Sequence, residues 1–250
     1  MENDGNSDLG EPFSIMNDFI MRVDNVSFQY HADGAPFPVL DSISLCLEMG
    51  EIMGVIGPSG CGKSTLLDIV AGLREGYSGN LNVNGSDGVG YMFQSPTLVP
   101  WLTVWDNIVV SNKAHLELAE ELLVSFGLSD ARYRYPRQLS GGMQQRAALA
   151  RSLSTGSHLL LLDEPFTGSD ISMRRELGDR VVDIVSKKEC SCILVSHDVS
   201  ELLRYASRII VLSKRPATII AEHKVPIDVQ QRVRLQEELE SFLIARGNNA

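Results

Sequence analysis

The sequence predicts an α/β fold: a mainly parallel core sheet, an antiparallel β layer beside it, and a helical insert subdomain. Three observations predict this. A glycine-rich turn at residues 57–62 sits between a short apolar run, Glu51–Ile56, and a helix-patterned stretch, Ser64–Leu73. Two later apolar runs, beginning at His158 and Ser191, are separated by a helical pattern with Leu177, Val181, Ile184 and Val185 on one face. Near the start, two stretches alternate apolar and polar residues, as half-buried antiparallel strands do.

Taken in order, residues 1–16 hold Glu2, Asp4, Asp8 and Glu11 among Asn, Ser and Gly, and read as a disordered acidic tail. Residues 17–250 read as one domain. Phe19–Tyr30 is strand-like, with Val26, Phe28 and Tyr30 on one face. His31–Pro38 reads as a turn, and Ile43, Leu45 and Leu47 mark the return strand. After the glycine turn and its helix, short strands are expected at Asn80–Asn84 and Val89–Gln94. Pro96, Pro100 and Trp101 then break the pattern. Thr103 can cap a helix beginning at Val104. Ala119, Leu122, Leu123 and Phe126 follow helical spacing up to Gly127. Residues 95 to about 138 therefore read as a helical insert, reaching about 155 with the helix from Leu139 to Leu153. The remaining elements are the strands from His158 and Ser191, a hairpin with Lys214-Arg-Pro216 at its bend, and a charged helix over Val229–Ile244.

Gly57-Pro-Ser-Gly-Cys-Gly-Lys-Ser-Thr65 matches G-x-x-x-x-G-K-[ST] between a strand and a helix. This resembles the P-loop arrangement of nucleoside triphosphatases. Gly57, Pro58, Ser59, Gly60, Cys61 and Gly62 would turn backbone N–H groups inward, and the helix beginning at Lys63, Ser64 and Thr65 adds its positive end. Lys63 would reach the β- and γ-phosphates and Ser64 would ligate Mg²⁺. Asp163 and Glu164 close an apolar run, at the end of a strand where α/β sheets place ligand chemistry. Asp163 would serve the Mg²⁺ shell and Glu164 would take the proton of the attacking water. His197 sits past the next strand end, either as a structural histidine or as a γ-phosphate contact.

Composition narrows the partners. Lys+Arg total 22 against 32 Asp+Glu, a net charge of −10, which disfavours a nucleic-acid backbone as ligand. The four cysteines form no C-x-x-C pair, and Cys190-Ser-Cys192 reads as small buried residues. A thiol in the phosphate loop suggests a reducing cytosol. No apolar run is long enough to span a membrane, and the acidic N-terminus does not resemble a signal peptide.

Leu139-Ser-Gly-Gly-Met-Gln-Gln-Arg146 resembles the signature motif of the ATP-binding cassette (ABC) ATPases. In that family a phosphate loop, a glutamine, the signature, an Asp-Glu pair and a histidine occur in this order, as they do here, over about residues 19–225. The resemblance implies ATP and Mg²⁺ as ligands. It implies that Gln94 senses γ-phosphate and Mg²⁺ and that His197 orients water. Tyr30 would stack on adenine, the alternative being a core tyrosine. Ser140, Gly141 and Gly142 would bind the γ-phosphate held by a second subunit, so that two copies close head to tail. One departure stands out: where the family usually has Ser-Ala-Leu-Asp, this chain has Thr167-Gly-Ser-Asp170. The expectation is that Gly168 adds freedom, that Ser169 replaces a packing leucine, and that coupling across the dimer weakens.

Transport and non-transport uses must then be weighed. Repair cassettes resemble chains with long coiled coils between phosphate loop and signature, but here Lys63 and Ser140 lie only 77 residues apart. Translation cassettes usually carry two cassettes per chain. An importer subunit is the favoured reading, with a soluble ABC ATPase uncoupled from transport as the alternative. Pro100-Trp-Leu-Thr-Val-Trp-Asp-Asn107 and the Arg215-Pro216 bend resemble the importers of nitrate, sulfonates, taurine and pyrimidine precursors. That resemblance implies a membrane permease, an extracytoplasmic substrate-binding protein and a place on the cytoplasmic face of the cell membrane. Trp101 and Trp105 would form a docking groove for the permease, or else are ordinary core residues. The stretch between Gly85 and Gln94 is shorter than in that group.

Overall fold

The computed structural model describes residues 19–32, 35–85, 88–110, 116–188 and 190–247. The expected acidic tail, residues 1–16, lies outside them. The chain opens with β1 (Phe19–Ala32), β2 (Ala35–Glu48), β3 (Ile52–Ile56), α1 (Lys63–Val70), β4 (Ser78–Val83) and β5 (Val89–Met92). The insert contributes α2 (Val104–Val109) and α3 (Leu116–Ser125), and α4 (Gly141–Leu153) leads back to the sheet. Then come β6 (Leu159–Asp163), α5 (Ile171–Lys188), β7 (Ser191–Val195), α6 (Val199–Tyr205), β8 (Arg208–Leu212), β9 (Ile219–Lys224) and α7 (Val229–Gly247).

The core sheet has the order β5-β6-β7-β3-β8-β9. Its pairs are parallel except β8 with β9. A separate antiparallel sheet, β2-β1-β4, lies beside it. Both faces of the core strands are buried, and alternate residues feed different clusters. Leu160 and Leu162 of β6 join the helical insert, α5 and α6, whereas Leu159 and Leu161 join α1 and the antiparallel layer. Val55, Ile193 and Ile210 follow the second pattern on their own strands. Each such fully buried aliphatic side chain contributes about 1.5–3 kcal/mol, so the centre of the sheet is a rigid platform for the loops at its strand ends.

Local chemistry explains the helix boundaries. Thr103 Oγ1 accepts the Asp106 N–H at 3.1 Å, capping α2 as its residue type favours. Gly72, at φ 70°, stops α1 soon after Val70, earlier than the expected Leu73, because a left-handed residue cannot continue the helix. Within α5, Gly178 has no room for a side chain: a Cβ there would lie 2.1 Å from the Tyr205 ring. Helix α6 was not evident from the sequence, since its seven residues are too few for a clear period, but Asp198 caps it by accepting the Ser200 N–H at 2.9 Å. The segment read as a turn, His31–Pro38, is mostly strand: β1 continues through Ala32 and β2 begins at Ala35. Pro36 and Pro38 are tolerated because β2 is an edge strand, where a missing N–H is least costly. Helix α7 anchors itself through Leu235 and Leu239, both buried.

Candidate functional site

The site forms where β3, β6 and β7 end. The loop after β3 turns into α1 through Gly62 at φ 127°, where a Cβ would press within 2.9 Å of Val39 and Leu40 side-chain atoms. Glycine is required there on both counts. Lys63 Nζ folds over the loop and donates to Gly57 O at 2.8 Å and Pro58 O at 3.1 Å. Ser64 Oγ donates to Asp163 Oδ2 at 2.6 Å, bringing together residues 99 apart in sequence. Thr65 is buried and its Oγ1 lies 3.3 Å from the Tyr30 hydroxyl. Cys61 points into the core, and burial pushes its thiol pKa up, so the sulfur is packing rather than a phosphate ligand.

Glu164 is held unusually firmly. Its φ is 53°, in the left-handed region that non-glycine residues seldom adopt. Its N–H donates to Val195 O at 2.9 Å, and its carbonyl accepts the buried Gln145 amide at 3.2 Å. Its Oε2 lies 2.6 Å from His197 Nδ1. Burial raises the Glu164 pKa, while His197 partly opposes that shift. Burial likewise raises the Asp163 pKa, opposed by the Ser64 hydroxyl and Lys63. A carboxyl group with a raised pKa is a stronger base when ionised, which suits Glu164 to proton abstraction.

A cavity of about 440 Å³ gathers Tyr30, Lys63, Ser64, Gln94, Asp163 and Glu164. Gly57, Ser59, Gly60, Gly62, Thr65 and His197 also face it. A larger cavity of about 580 Å³, between α5, α6 and the start of α7, contains none of these residues. Chemistry rather than size identifies the smaller one as the site. Among the described residues no cluster of three acidic, His or Cys side chains could hold a metal alone. Ser64 Oγ and Asp163 Oδ2, 2.6 Å apart, nevertheless offer hard oxygens, and Gln94 lines the same cavity, a donor set whose chemistry fits Mg²⁺.

The signature residues stand apart from this cavity. Ser140 caps α4 by accepting the Met143 N–H at 3.3 Å, and both it and Gly141 are exposed. Gly142 packs on the loop after Glu164: a Cβ there would lie 2.9 Å from Gly168 O. The expectation that Gly168 adds freedom needs revision. Its φ of 78° makes glycine the residue this turn requires. Ser169 is buried, and its hydroxyl has no hydrogen-bond partner among the described residues, so it fills a leucine-like place at a polar cost. The two tryptophans do not share one environment. Trp105 packs against the core with the Arg132 guanidinium 4.0 Å from its ring centre, whereas Trp101 is 76% exposed. Sequence reasoning missed three participants. Val39 and Arg215 line the same cavity, and Gln145 grips the Glu164 backbone. Arg215 and Gln145 carried signals, as parts of the Arg-Pro bend and of the 139–146 motif, and neither signal named this chemistry.

Comparison with known proteins identifies the family to which this chain is similar. The sequence profile described as ABC transporter matches residues 40–167. The chain is 41% identical over 213 residues to the aliphatic sulfonates import ATP-binding protein SsuB 2 of Pseudomonas syringae pv. tomato, covering 84% of this chain and 88% of that protein. It is 43% identical over 202 residues to the SsuB protein of Bacillus licheniformis, covering 76% and 78%. Among solved structures it is similar to the ATP-binding cassette MJ0796 in a dimeric post-hydrolysis state with ADP and Pi, at 25% identity and a TM-score of 0.75, covering 82% of this chain and 99% of that one.

Proposed function

The chain belongs to the ABC transporter family of ATP-binding proteins, and from that premise we propose that it is the ATP-hydrolysing subunit of an importer for small organic anions of the sulfonate type. The observation that carries the proposal is the single cavity shared by Lys63, Ser64, Asp163 and Glu164. Lys63 would exchange its contacts with Gly57 O and Pro58 O for the β- and γ-phosphates. Ser64, Asp163 and Gln94 would hold Mg²⁺, which when bound neutralises charge on the transferring phosphoryl group. Glu164 would accept the proton of the attacking water. His197 would hold and orient Glu164 through the contact it already makes, and from there reach the γ-phosphate.

Ser140, Gly141 and Gly142 lie outside the cavity of their own subunit, which supports a role toward the nucleotide of a second copy in a head-to-tail homodimer. The MJ0796 relative is described as dimeric. The permease, the extracytoplasmic binding protein and the cytoplasmic face of the membrane follow from the importer reading. No helix among the described residues is long and apolar enough to cross a membrane, so the membrane-spanning role would fall to a partner. The alternative, a soluble ABC ATPase uncoupled from transport, draws no support from the named importer relatives.

Glu164→Gln tests this directly. The variant should keep ATP binding, lose turnover and accumulate as a dimer by light scattering. Turnover at the wild-type rate would remove Glu164 as the base. A monomer at saturating ATP would remove the two-site closure for the isolated subunit.

A further inference from the structure

The bend Lys214-Arg-Pro216 links β8 to β9, and the fold carries it to one end of the nucleotide cavity. Ala217 N–H donates to Val39 O at 2.7 Å, and Asp41 N–H donates to Ala217 O at 2.9 Å, so the bend is fastened to β2. Ser213 Oγ closes it internally, donating to Lys214 O at 2.8 Å and accepting the Thr218 N–H at 2.9 Å. Across the β1–β2 hairpin, Tyr30 pairs with Phe37. Directly opposed strand residues project from the same face, and Val39 follows two positions along β2 on that face. The Arg215 guanidinium lies 3.8 Å from the Phe37 ring centre, and Arg215 lines the same cavity as Tyr30 and Val39. Tyr30 is itself fixed, by its hydroxyl contact to Thr65 and by the Arg74 guanidinium 5.0 Å from its ring centre.

We propose that Arg215, seated on Phe37, is a nucleobase contact that forms the second wall of the purine site whose first wall is Tyr30. This rests on the reading that the cavity takes ATP. The phosphate loop, Lys63 and the carboxylates occupy the phosphate end, which leaves the base to the end built from Tyr30, Val39 and Arg215. A guanidinium suits this position because it is planar and always charged. It stacks on an aromatic ring with one face and keeps its N–H edge for a ring acceptor. Purine N7 is such an acceptor in both adenine and guanine. Lysine lacks the planar fork and would replace it only in part.

Calorimetric titration of the full chain with Mg-ADP and with Mg-tripolyphosphate, which has no base, tests the proposal. Arg215→Ala should weaken ADP binding about five- to thirty-fold, the range of a partly desolvated cation–π or charged contact. Tripolyphosphate binding should stay within about twofold. Arg215→Lys should fall between wild type and Arg215→Ala, and Phe37→Ala should weaken ADP binding by removing the seat of the guanidinium. Equal ADP affinity in wild type and Arg215→Ala would overturn the proposal. Parallel loss of ADP and tripolyphosphate would also overturn it, by showing a general electrostatic effect. A wild-type chain that binds tripolyphosphate but not ADP would overturn the ATPase reading itself.

Discussion

Replacing Gln145 with leucine should separate catalysis from nucleotide binding. Gln145 is 6% exposed and touches no part of the nucleotide cavity directly. Its amide donates to the carbonyl of Glu164, which also receives a long 3.4 Å contact from the Thr167 N–H. Leucine fills similar volume, so the cavity penalty is small and the lost hydrogen bond dominates. Because the Thr167 contact remains, the carbonyl is weakened rather than orphaned, and the cost should be about 1–2 kcal/mol. For a domain of this size that lowers Tm by about 2–8 °C. The left-handed Glu164 would then lose one of the three hydrogen bonds to its backbone that oppose its strain of about 1–2 kcal/mol. A carboxylate displaced by about 1 Å costs up to about a hundredfold in rate. ATPase assays should therefore show kcat reduced about ten- to a hundredfold, while ATP affinity by equilibrium titration stays within about twofold. Unchanged Tm and kcat would refute this account. So would a loss of ATP affinity in step with kcat, because Gln145 would then act on binding.

Ser169→Ala should raise Tm by about 2–4 °C, since it removes a buried hydroxyl that has no partner among the described residues; a fall measured by calorimetry would reveal that the hydroxyl is used. Arg174 donates from Nε to Ser169 O at 2.9 Å and sets Nη1 3.8 Å from Asp198 and 3.7 Å from Glu201. It therefore spans the loop after Glu164 and the segment carrying His197, and Arg174→Ala should lower kcat with ATP affinity kept, whereas equal losses in both would point to general destabilisation. Gly178→Ala should lower Tm despite a gain of about 1 kcal/mol in helix propensity, because the new methyl collides with the Tyr205 ring; a higher Tm would contradict it. Trp101→Ala, at the exposed tryptophan, should uncouple transport in the assembled complex and spare ATPase of the free subunit, and loss of ATP binding would end the docking idea.

The residues that were legible in sequence are those whose role is local. The loop from Gly57 to Thr65 carries its own glycines, lysine and hydroxyl, and the geometry they need spans nine consecutive residues. The apolar runs of β3, β6 and β7 are continuous because both faces of a central parallel strand are buried. Thr103, Ser140 and Gly127 announce helix ends through short-range hydrogen bonding and backbone freedom. The acids at the end of β6 were visible as candidates for the same reason: the strand that positions them is five residues long and ends on Asp163.

Relations between elements were not legible. Ser64 meets Asp163 only because β6 lies one strand away from β3, across β7, and no periodicity specifies that order. Gln145 reaches Glu164 across 19 residues, and His197 reaches it across 33. Arg215 reaches Phe37 because backbone bonds fasten its bend to β2. The positive φ of Glu164 had no signature, since glutamate is not a residue that selects it. By itself, then, the sequence determined the fold class, the phosphate loop and the acidic strand end, because local sterics and burial specify those. Only the tertiary structure decided which side chains hold Glu164 in place and that Tyr30, Val39 and Arg215 line one cavity with the phosphate loop, because those contacts depend on packing between segments far apart in the chain.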